Sequence, residues 1–178
     1  VRPVRCVSGP VPSANIDGYD PRTPPPPVSS RPELDRWIVS ELNGLVADVA
    51  HALDNYETET AARRIESFVE YLSNWYVRRS RRRFWKSGGL GSTDGGDEDK
   101  LSAYATLYEC LVTLTKLLAP FTPFIADMMY RNLVADRVAD APGSVHRTSR
   151  PNANTSLIAG DVMNQTRLAI RLASLGRS

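Results

Sequence analysis

Apolar residues recur at helical spacing in five segments of the chain, and this pattern predicts five helices. In the first segment the apolar positions lie three or four residues apart, which places them on one face of a helix. They are Leu34, Trp37, Ile38, Leu42, Leu45, Val46, Val49 and Leu53. Ser30 and Glu33 have the spacing of a capping box, with Pro32 between them. The first helix is therefore predicted over residues 32–53.

The second helix is predicted to begin at Thr58, as its N-cap, and to run to about residue 86. Its apolar line comprises Ala61, Ile65, Phe68, Val69, Leu72, Trp75 and Tyr76. The same spacing predicts helices over residues 98–118, 124–134 and 155–175. Pro120 ends the first of these three, and the methionines at 128 and 129 are expected to pack inside.

The segments between and before the helices have a different composition. Residues 1–30 lack helical periodicity and contain four consecutive prolines, which favour an extended polyproline conformation. Residues 87–97 hold five glycines with polar and acidic residues, so a mobile loop is expected there. Residues 140–154 are expected to be irregular.

No segment alternates convincingly between apolar and polar residues with period two, so an all-α antiparallel helix bundle is the predicted architecture. We expect an irregular connector over residues 1–30 and the helical bundle over 31–135. An irregular segment with a C-terminal helix of the same region is expected over 136–178.

The charge of the chain is strongly uneven. Its net charge is only +2, yet residues 75–86 hold six cations and no acid, and residues 94–99 hold four acids. On a helix of 100° per residue, Arg79 and Arg83 continue the apolar stripe of Leu72 and Tyr76. Because an unpaired charge is costly in a core, we expect these two arginines to leave the bundle and meet an outside partner.

Arginines interleaved with aromatic residues are suited to nucleic acid. A guanidinium donates two parallel hydrogen bonds to phosphate, and aromatic rings stack on unpaired bases. The predicted RNA-binding residues are Trp75, Tyr76, Arg78, Arg79, Arg81, Arg82, Arg83, Phe84, Trp85 and Lys86. Three alternatives stay open: a solvated basic helix end paired with the acidic loop, a module that docks an acidic protein, and a non-specific RNA binder.

The sequence offers no catalytic motif and no metal-ligand spacing. Cys6 and Cys110 are too few and too far apart for a zinc site or a disulfide framework. No apolar run approaches the roughly 20 residues of a membrane span, so a soluble, cytosolic protein is expected. Neither a catalytic residue nor a cofactor is predicted within these residues.

Several ordered strings resemble the anticodon-binding domain of class I isoleucyl-tRNA synthetases. These strings are Ala-Asn-Ile-Asp-Gly at 14–18, Leu-Asp-Arg-Trp-Ile at 34–38, Leu-Ser-Asn-Trp-Tyr-Val-Arg-Arg-Ser-Arg-Arg-Arg-Phe-Trp at 72–85, and Leu-Leu-Ala-Pro-Phe-Thr-Pro-Phe-Ile at 117–125. They cover residues 14 to about 134 in the order of the family. Residues 1–13 and 147–151 depart from the family pattern.

The resemblance implies a helical bundle of the class I anticodon-binding type that grips the anticodon arm of tRNA(Ile). The equivalent domain of a valyl- or leucyl-tRNA synthetase is the alternative within the class. Aminoacylation with ATP and Mg would belong to a parent enzyme, since the nucleotide-binding signatures of the family do not occur here. The implied partners are the tRNA and the catalytic domain of the same parent chain, in a monomer without membrane attachment.

Overall fold

The computed structural model describes residues 18–85 and 97–176, and within these ranges the chain is helical without strands. The first three long elements are α1 (Glu33–Asp54), a rod made of α2 (Thr58–Glu70), a π-helical segment (Tyr71–Val77) and α3 (Arg78–Phe84), and then α4 (Asp97–Leu118). After them come α5 (Pro123–Tyr130), a second π-helical segment (Arg131–Ala135) and α6 (Gly160–Leu175). Short 3₁₀ turns lie at Val28–Ser30, Val145–Arg147 and Thr155–Leu157. The prediction of an all-α bundle is confirmed.

Side-chain contacts give the directions of the helices. Asp35, near the start of α1, contacts Arg83 at the end of the rod and Ser102 near the start of α4. The rod therefore runs antiparallel to α1 and α4. Helix α6 lies antiparallel along α1, because Arg167 binds Glu41 while the earlier residue Met163 lies beside Gly44.

The main core lies between α1, the rod and α4. The predicted apolar face of α1 is confirmed for its central residues Trp37, Ile38, Leu42, Leu45, Val46 and Val49, which are all buried. Tyr19 extends the core from the connector, packing against the rings of Tyr104 and Tyr108 at centroid distances of 5.6 and 6.1 Å. None of the helices described is both long and apolar enough to cross a membrane.

Both predicted helix caps were wrong. The N-cap of α1 is Pro32, without a side-chain hydrogen bond. The Ser30 hydroxyl instead donates to the carbonyl of Pro27 within the preceding 3₁₀ turn, at 2.9 Å. Thr58 is the first residue of α2, and its N-cap is Glu57, also without a side-chain bond. Local turn geometry therefore uses the hydroxyl that the capping-box pattern assigned to the helix.

Helix α5 packs through a different face from the one expected. Met128 is 59% exposed, so the expectation that it packs inside was wrong, and Ile125 is exposed as well, at 56%. The buried residues are Ala126 and Tyr130, which form a second small core with Val145. A helix of this length has apolar residues on more than one face, and its neighbours cover only one of them.

The turn after α1 places an aromatic residue in the left-handed region. Tyr56 has φ of 61° and is 92% exposed. The amide of Glu57 donates to the carbonyl of Ala52, and the amide of Tyr56 donates to the carbonyl of Leu53. This is the hydrogen-bond pattern of a Schellman motif, in which glycine is the usual residue at the position of Tyr56.

The π-helical segment changes which side of the rod's end faces the core. Because π hydrogen bonds span five residues rather than four, the inward positions advance by four residues at each step. From Phe68 onward they are Leu72, Tyr76, Ser80 and Phe84, all buried. A uniform 100° step predicted Arg79 and Arg83 on this line instead, and Val69, also assigned to it, is 42% exposed. The predicted loop lies outside the described residues except for Asp97, which begins α4.

Candidate nucleic-acid interface

The last two turns of the rod expose a cluster of cations. Arg78, Arg79, Arg81 and Arg82 are exposed on α3, and none of them forms an ion pair within residues 18–85 and 97–176. Trp85 follows directly and is 65% exposed. We call these five residues the basic surface. Trp75 lies beside it, half-buried, and Lys86 lies outside the described residues.

The basic surface includes a cation stacked on an aromatic ring. The guanidinium carbon of Arg81 lies 5.1 Å from the centre of the Trp85 ring, within the range of a cation–π contact. One side of the indole is thus held by Arg81 while most of the ring remains open to solvent. An exposed ring of this kind offers a stacking platform for an unpaired base.

Three of the residues predicted to bind RNA lie inside the bundle instead. Tyr76 is fully buried and Phe84 is 3% exposed, with the Phe84 ring 5.1 Å from that of Tyr104. The side chain of Arg83 is only 15% exposed and pairs with acids of the bundle. These positions are corrected: they belong to the support of the basic surface, because their side chains pack or form ion pairs inside the bundle.

The support is organised around the buried carboxylate of Asp35. Arg83 donates from Nη1 to Oδ1 at 2.6 Å and from Nη2 to Oδ2 at 2.8 Å, a two-pronged contact. The Tyr76 hydroxyl donates to Oδ1 at 2.9 Å, and the Ser102 hydroxyl donates to Oδ2 at 2.7 Å. Nη2 of Arg83 also lies 2.9 Å from a carboxylate oxygen of Asp99. The network joins α1, the rod and α4 directly beneath the basic surface.

The protonation properties of the network follow from this geometry. Burial strongly raises the pKa of Tyr76, and the neighbouring Asp35 carboxylate raises it further. Burial alone would lower the pKa of Arg83, but its hydrogen bonds and charge contact with Asp35 outweigh that effect, so the pKa is raised. The phenol therefore stays neutral and the guanidinium stays charged.

The sequence itself contains an indication of this network. Asp35 lies on the same three-and-four spacing as Ile38, Leu42 and Val49, so an acid occupies the apolar face of α1. Arg83 was placed on an apolar stripe as well. An acid and an arginine that both lie on apolar helix faces are expected to form an ion pair, since a buried charge requires a partner.

Helix α6 is anchored to α1 by a second buried acid. Glu41 is fully buried, and Arg167 donates to its two oxygens at 2.9 and 2.8 Å. Arg64 of the rod lies 3.6 Å from the same carboxylate. The hydrogen bond to Glu41 raises the pKa of Arg167. The last helix of the chain is thus fixed against α1 on the side that leads to the basic surface.

The described residues hold no group of three or more histidine, cysteine or acidic side chains placed to bind a metal ion. Cys110 is fully buried in the main core, where burial raises the pKa of its thiol.

A helical bundle with an exposed arginine surface and an exposed tryptophan at one end is typical of nucleic-acid-binding modules. Residues 35–176 match the family model described as the anticodon-binding domain of tRNA ligase. The chain belongs to this family.

Curated relatives of the chain include isoleucine–tRNA ligases. One from Dehalococcoides mccartyi is 56% identical over 165 residues, which are 93% of this chain and 16% of the relative. One from Thermobifida fusca is 48% identical over 86% of the chain and 14% of the relative, and one from Thermus thermophilus is 43% identical over 93% and 15%. The chain thus spans about one sixth of the length of these relatives.

Proposed function

We propose that the basic surface binds the anticodon arm of tRNA(Ile), as the anticodon-recognition part of an isoleucine–tRNA ligase. The observation that carries the proposal is the set of exposed arginines without ion pairs in the described part of the chain, set beside the exposed ring of Trp85. The names of the relatives in three bacterial genera support isoleucine as the amino acid.

The arginines would supply affinity and position. Each guanidinium that neutralises a phosphate releases condensed counterions, which favours binding at low salt. If Arg78, Arg79, Arg81 and Arg82 each contact one phosphate, the slope of log K against log salt is about −3, from about 0.7 to 0.9 per contact. Trp85 would stack on an unpaired base of the loop, since RNA specificity resides mainly in unstacked nucleotides.

The remaining functions of the parent protein are proposed from the resemblance alone. Adenylation of isoleucine with ATP and Mg, and its transfer to tRNA, would take place in a catalytic domain of the same polypeptide. That domain would be the second partner of the bundle. We further propose a cytoplasmic monomer, in keeping with the enzyme class.

The proposal is tested by fluorescence anisotropy with a labelled RNA hairpin that carries the anticodon loop of tRNA(Ile). The chain is expected to bind this hairpin more tightly than a hairpin with an unrelated anticodon, and to bind an acidic polypeptide of equal charge poorly. Equal affinity for both hairpins would reduce the function to non-specific RNA binding. Preference for the polypeptide would assign the basic surface to a protein partner instead.

A further inference from the structure

Three large apolar side chains of α5 face solvent on one side of the helix. Phe124 is 89% exposed, and Ile125 and Met128 are each more than half exposed. At 100° per residue these three positions share one face of the helix. Ala126 and Tyr130 lie on the opposite face, which packs in the second small core. Helix α5 therefore has two apolar faces, and the described part of the chain covers only one of them.

An exposed aromatic residue, Tyr56, lies at the same end of the bundle. One short segment links it to α5: the Nε2 atom of His146 lies 3.3 Å from the carbonyl oxygen of Pro123, and Arg150 donates to Asp54 at 2.9 Å. The four-residue step from His146 to Arg150 spans at most about 14 Å, so the end of α1 and the start of α5 flank this segment. We define the distal end of the bundle as four exposed residues: Tyr56, Phe124, Ile125 and Met128.

The backbone at Tyr56 is independent evidence that this end binds a partner. Its φ of 61° is strained for a residue with a side chain. The ring is 92% exposed, so packing within the described residues does not compensate for that strain. Strained positions of this kind are concentrated at sites of function. A partner that covers the ring would supply the missing compensation.

A groove of about 310 Å³ lies at the same end, between the ends of α1 and α4. Its walls are mainly aliphatic and include Val49 and Leu117. Lys116 also lines it and forms no ion pair in residues 18–85 and 97–176, whereas Arg150 is paired with Asp54. Among the described residues no acid lines the groove. An aliphatic wall beside a cation is complementary to a segment with apolar and acidic side chains.

We propose that the distal end and this groove dock an apolar, acidic segment of the parent polypeptide that lies outside this chain. The proposal rests on the proposed function, which makes the chain part of a longer ligase, and deepens it by naming the surface that holds the rest of that ligase. The match to the relative from Dehalococcoides mccartyi covers 16% of that protein, so most of its length lies outside the match.

The area of the distal end favours a segment of the same polypeptide over a second copy of the chain. Two aromatic side chains, at about 150 to 250 Å² each, and the exposed parts of Ile125 and Met128 give roughly 400 to 600 Å² of apolar surface. Each partner of a stable complex contributes about 800 Å². A tethered segment can bind through a smaller surface, because its effective concentration reaches the millimolar range.

The charges on α5 disfavour RNA at the distal end. No cation lies within α5, and Arg131, which follows it, already pairs with Asp127 at 2.9 Å. A phosphate backbone that followed α5 would therefore release few counterions. The contact of Arg83 with Asp35 places the basic surface at the other end of α1, a helix of 22 residues that is about 33 Å long. RNA and the docked segment can therefore bind at the same time.

Hydroxyl-radical oxidation of side chains, measured by mass spectrometry, tests the docking directly. The experiment compares this chain with the full polypeptide encoded by its gene, both without RNA. Oxidation of Tyr56, Phe124 and Met128 should be about fivefold slower or more in the full polypeptide, as expected for side chains that enter the buried core of an interface. Trp85 is the internal control and should react equally in both. Equal rates at the distal end would overturn the proposal.

A charged substitution provides the second test. Phe124→Asp should leave the melting temperature of the isolated chain unchanged, because Phe124 is exposed there. In the full polypeptide it should raise the oxidation rate of Met128 to the rate in the isolated chain. Ser73→Asp is the matched control, at an exposed position of the rod outside the distal end, and should change neither. An unchanged Met128 rate in the full polypeptide with Phe124→Asp would overturn the proposal.

Two further results would assign the distal end to another partner and overturn the proposal. Slower Met128 oxidation at high concentration of the isolated chain, together with a dimer in sedimentation, would assign it to a second copy. Slower oxidation on addition of the anticodon hairpin would assign it to RNA. Hairpin binding tests the proposed function separately, since Phe124→Asp should leave hairpin affinity unchanged. A gene that encodes no further domain would overturn both proposals.

Discussion

Removal of the Arg83 guanidinium distinguishes a residue that supports the interface from one that binds RNA. Among the described residues, Arg83→Met leaves the fully buried Asp35 with only the hydroxyl donors of Tyr76 and Ser102. Breaking one side of a buried ion pair costs about 3 to 5 kcal/mol. The lower end applies here, because the Arg83 side chain is 15% exposed and two donors remain.

A loss of about 3 kcal/mol lowers the melting temperature of a chain of this size by about 6 to 12 °C. Urea unfolding followed by circular dichroism measures the loss in the free energy of unfolding directly. Arg79→Met is the matched control on the same helix and should cost less than about 0.5 kcal/mol, as for other exposed positions. Adding Asp35→Asn to Arg83→Met should recover part of the stability, since it removes the uncompensated buried charge.

RNA binding by the folded Arg83→Met variant should remain within about threefold of the parent, since the residue does not reach solvent as the exposed arginines do. The opposite result would refute the conclusion that Arg83 forms an internal ion pair with Asp35 and does not bind RNA. That result is a stability loss below about 1 kcal/mol together with a tenfold or larger loss of RNA binding, and it would return Arg83 to the binding surface.

Three further predictions concern the parts that hold the bundle together. Burial raises the pKa of Tyr19 to about 12 from an ordinary value of 10.0, so its contribution to stability is complete below pH 10 and is lost as the pH rises towards 12. Tyr19→Phe should flatten this alkaline loss in thermal melts. Arg167→Ala should destabilise the chain by about 1.5 to 3 kcal/mol in urea and increase hydrogen exchange in α6, because among the described residues Glu41 then keeps only Arg64, at 3.6 Å. Tyr56→Gly should stabilise the chain by about 1 kcal/mol in the same assay, since glycine adopts the left-handed conformation without strain.

Each of these three predictions has a result that would contradict it. If the loss of thermal stability at alkaline pH is the same in Tyr19→Phe as in the parent chain, the connector is not packed on α4. Unaltered exchange in α6 after Arg167→Ala would show that apolar contacts alone hold that helix. A loss of stability in Tyr56→Gly would show that the exposed ring contributes more than its backbone strain costs.

The helices of this bundle could be predicted from sequence because their burial follows a regular spacing. Along α1 the central apolar positions are buried as predicted, from Trp37 to Val49. At the end of the rod the regular spacing fails, since the π-helical segment moves the inward line to Ser80 and Phe84. A helix pattern assigned at a constant 100° per residue does not detect this shift in the residues that face the core.

The division of the arginines into exposed residues and one internally paired residue required three-dimensional contacts. Six cations lie close together in the sequence, yet Arg83 pairs with Asp35, which is 48 positions away. The distal end likewise combines Tyr56 with residues of α5, which are far apart along the chain. The sequence identified the cationic segment, and the fold determined which of its side chains are exposed.

The central claim, that exposed arginines of the basic surface contact phosphates, is tested most directly by the salt dependence of hairpin binding. The parent chain should give a slope of about −3, and Arg78→Ala combined with Arg82→Ala should reduce it to about −1.5, because each lost phosphate contact removes about 0.7 to 0.9. Arg63→Ala is the control, an exposed arginine of the rod that already pairs with Glu59, and it should leave the slope unchanged. Equal slopes for all three proteins would contradict the claim.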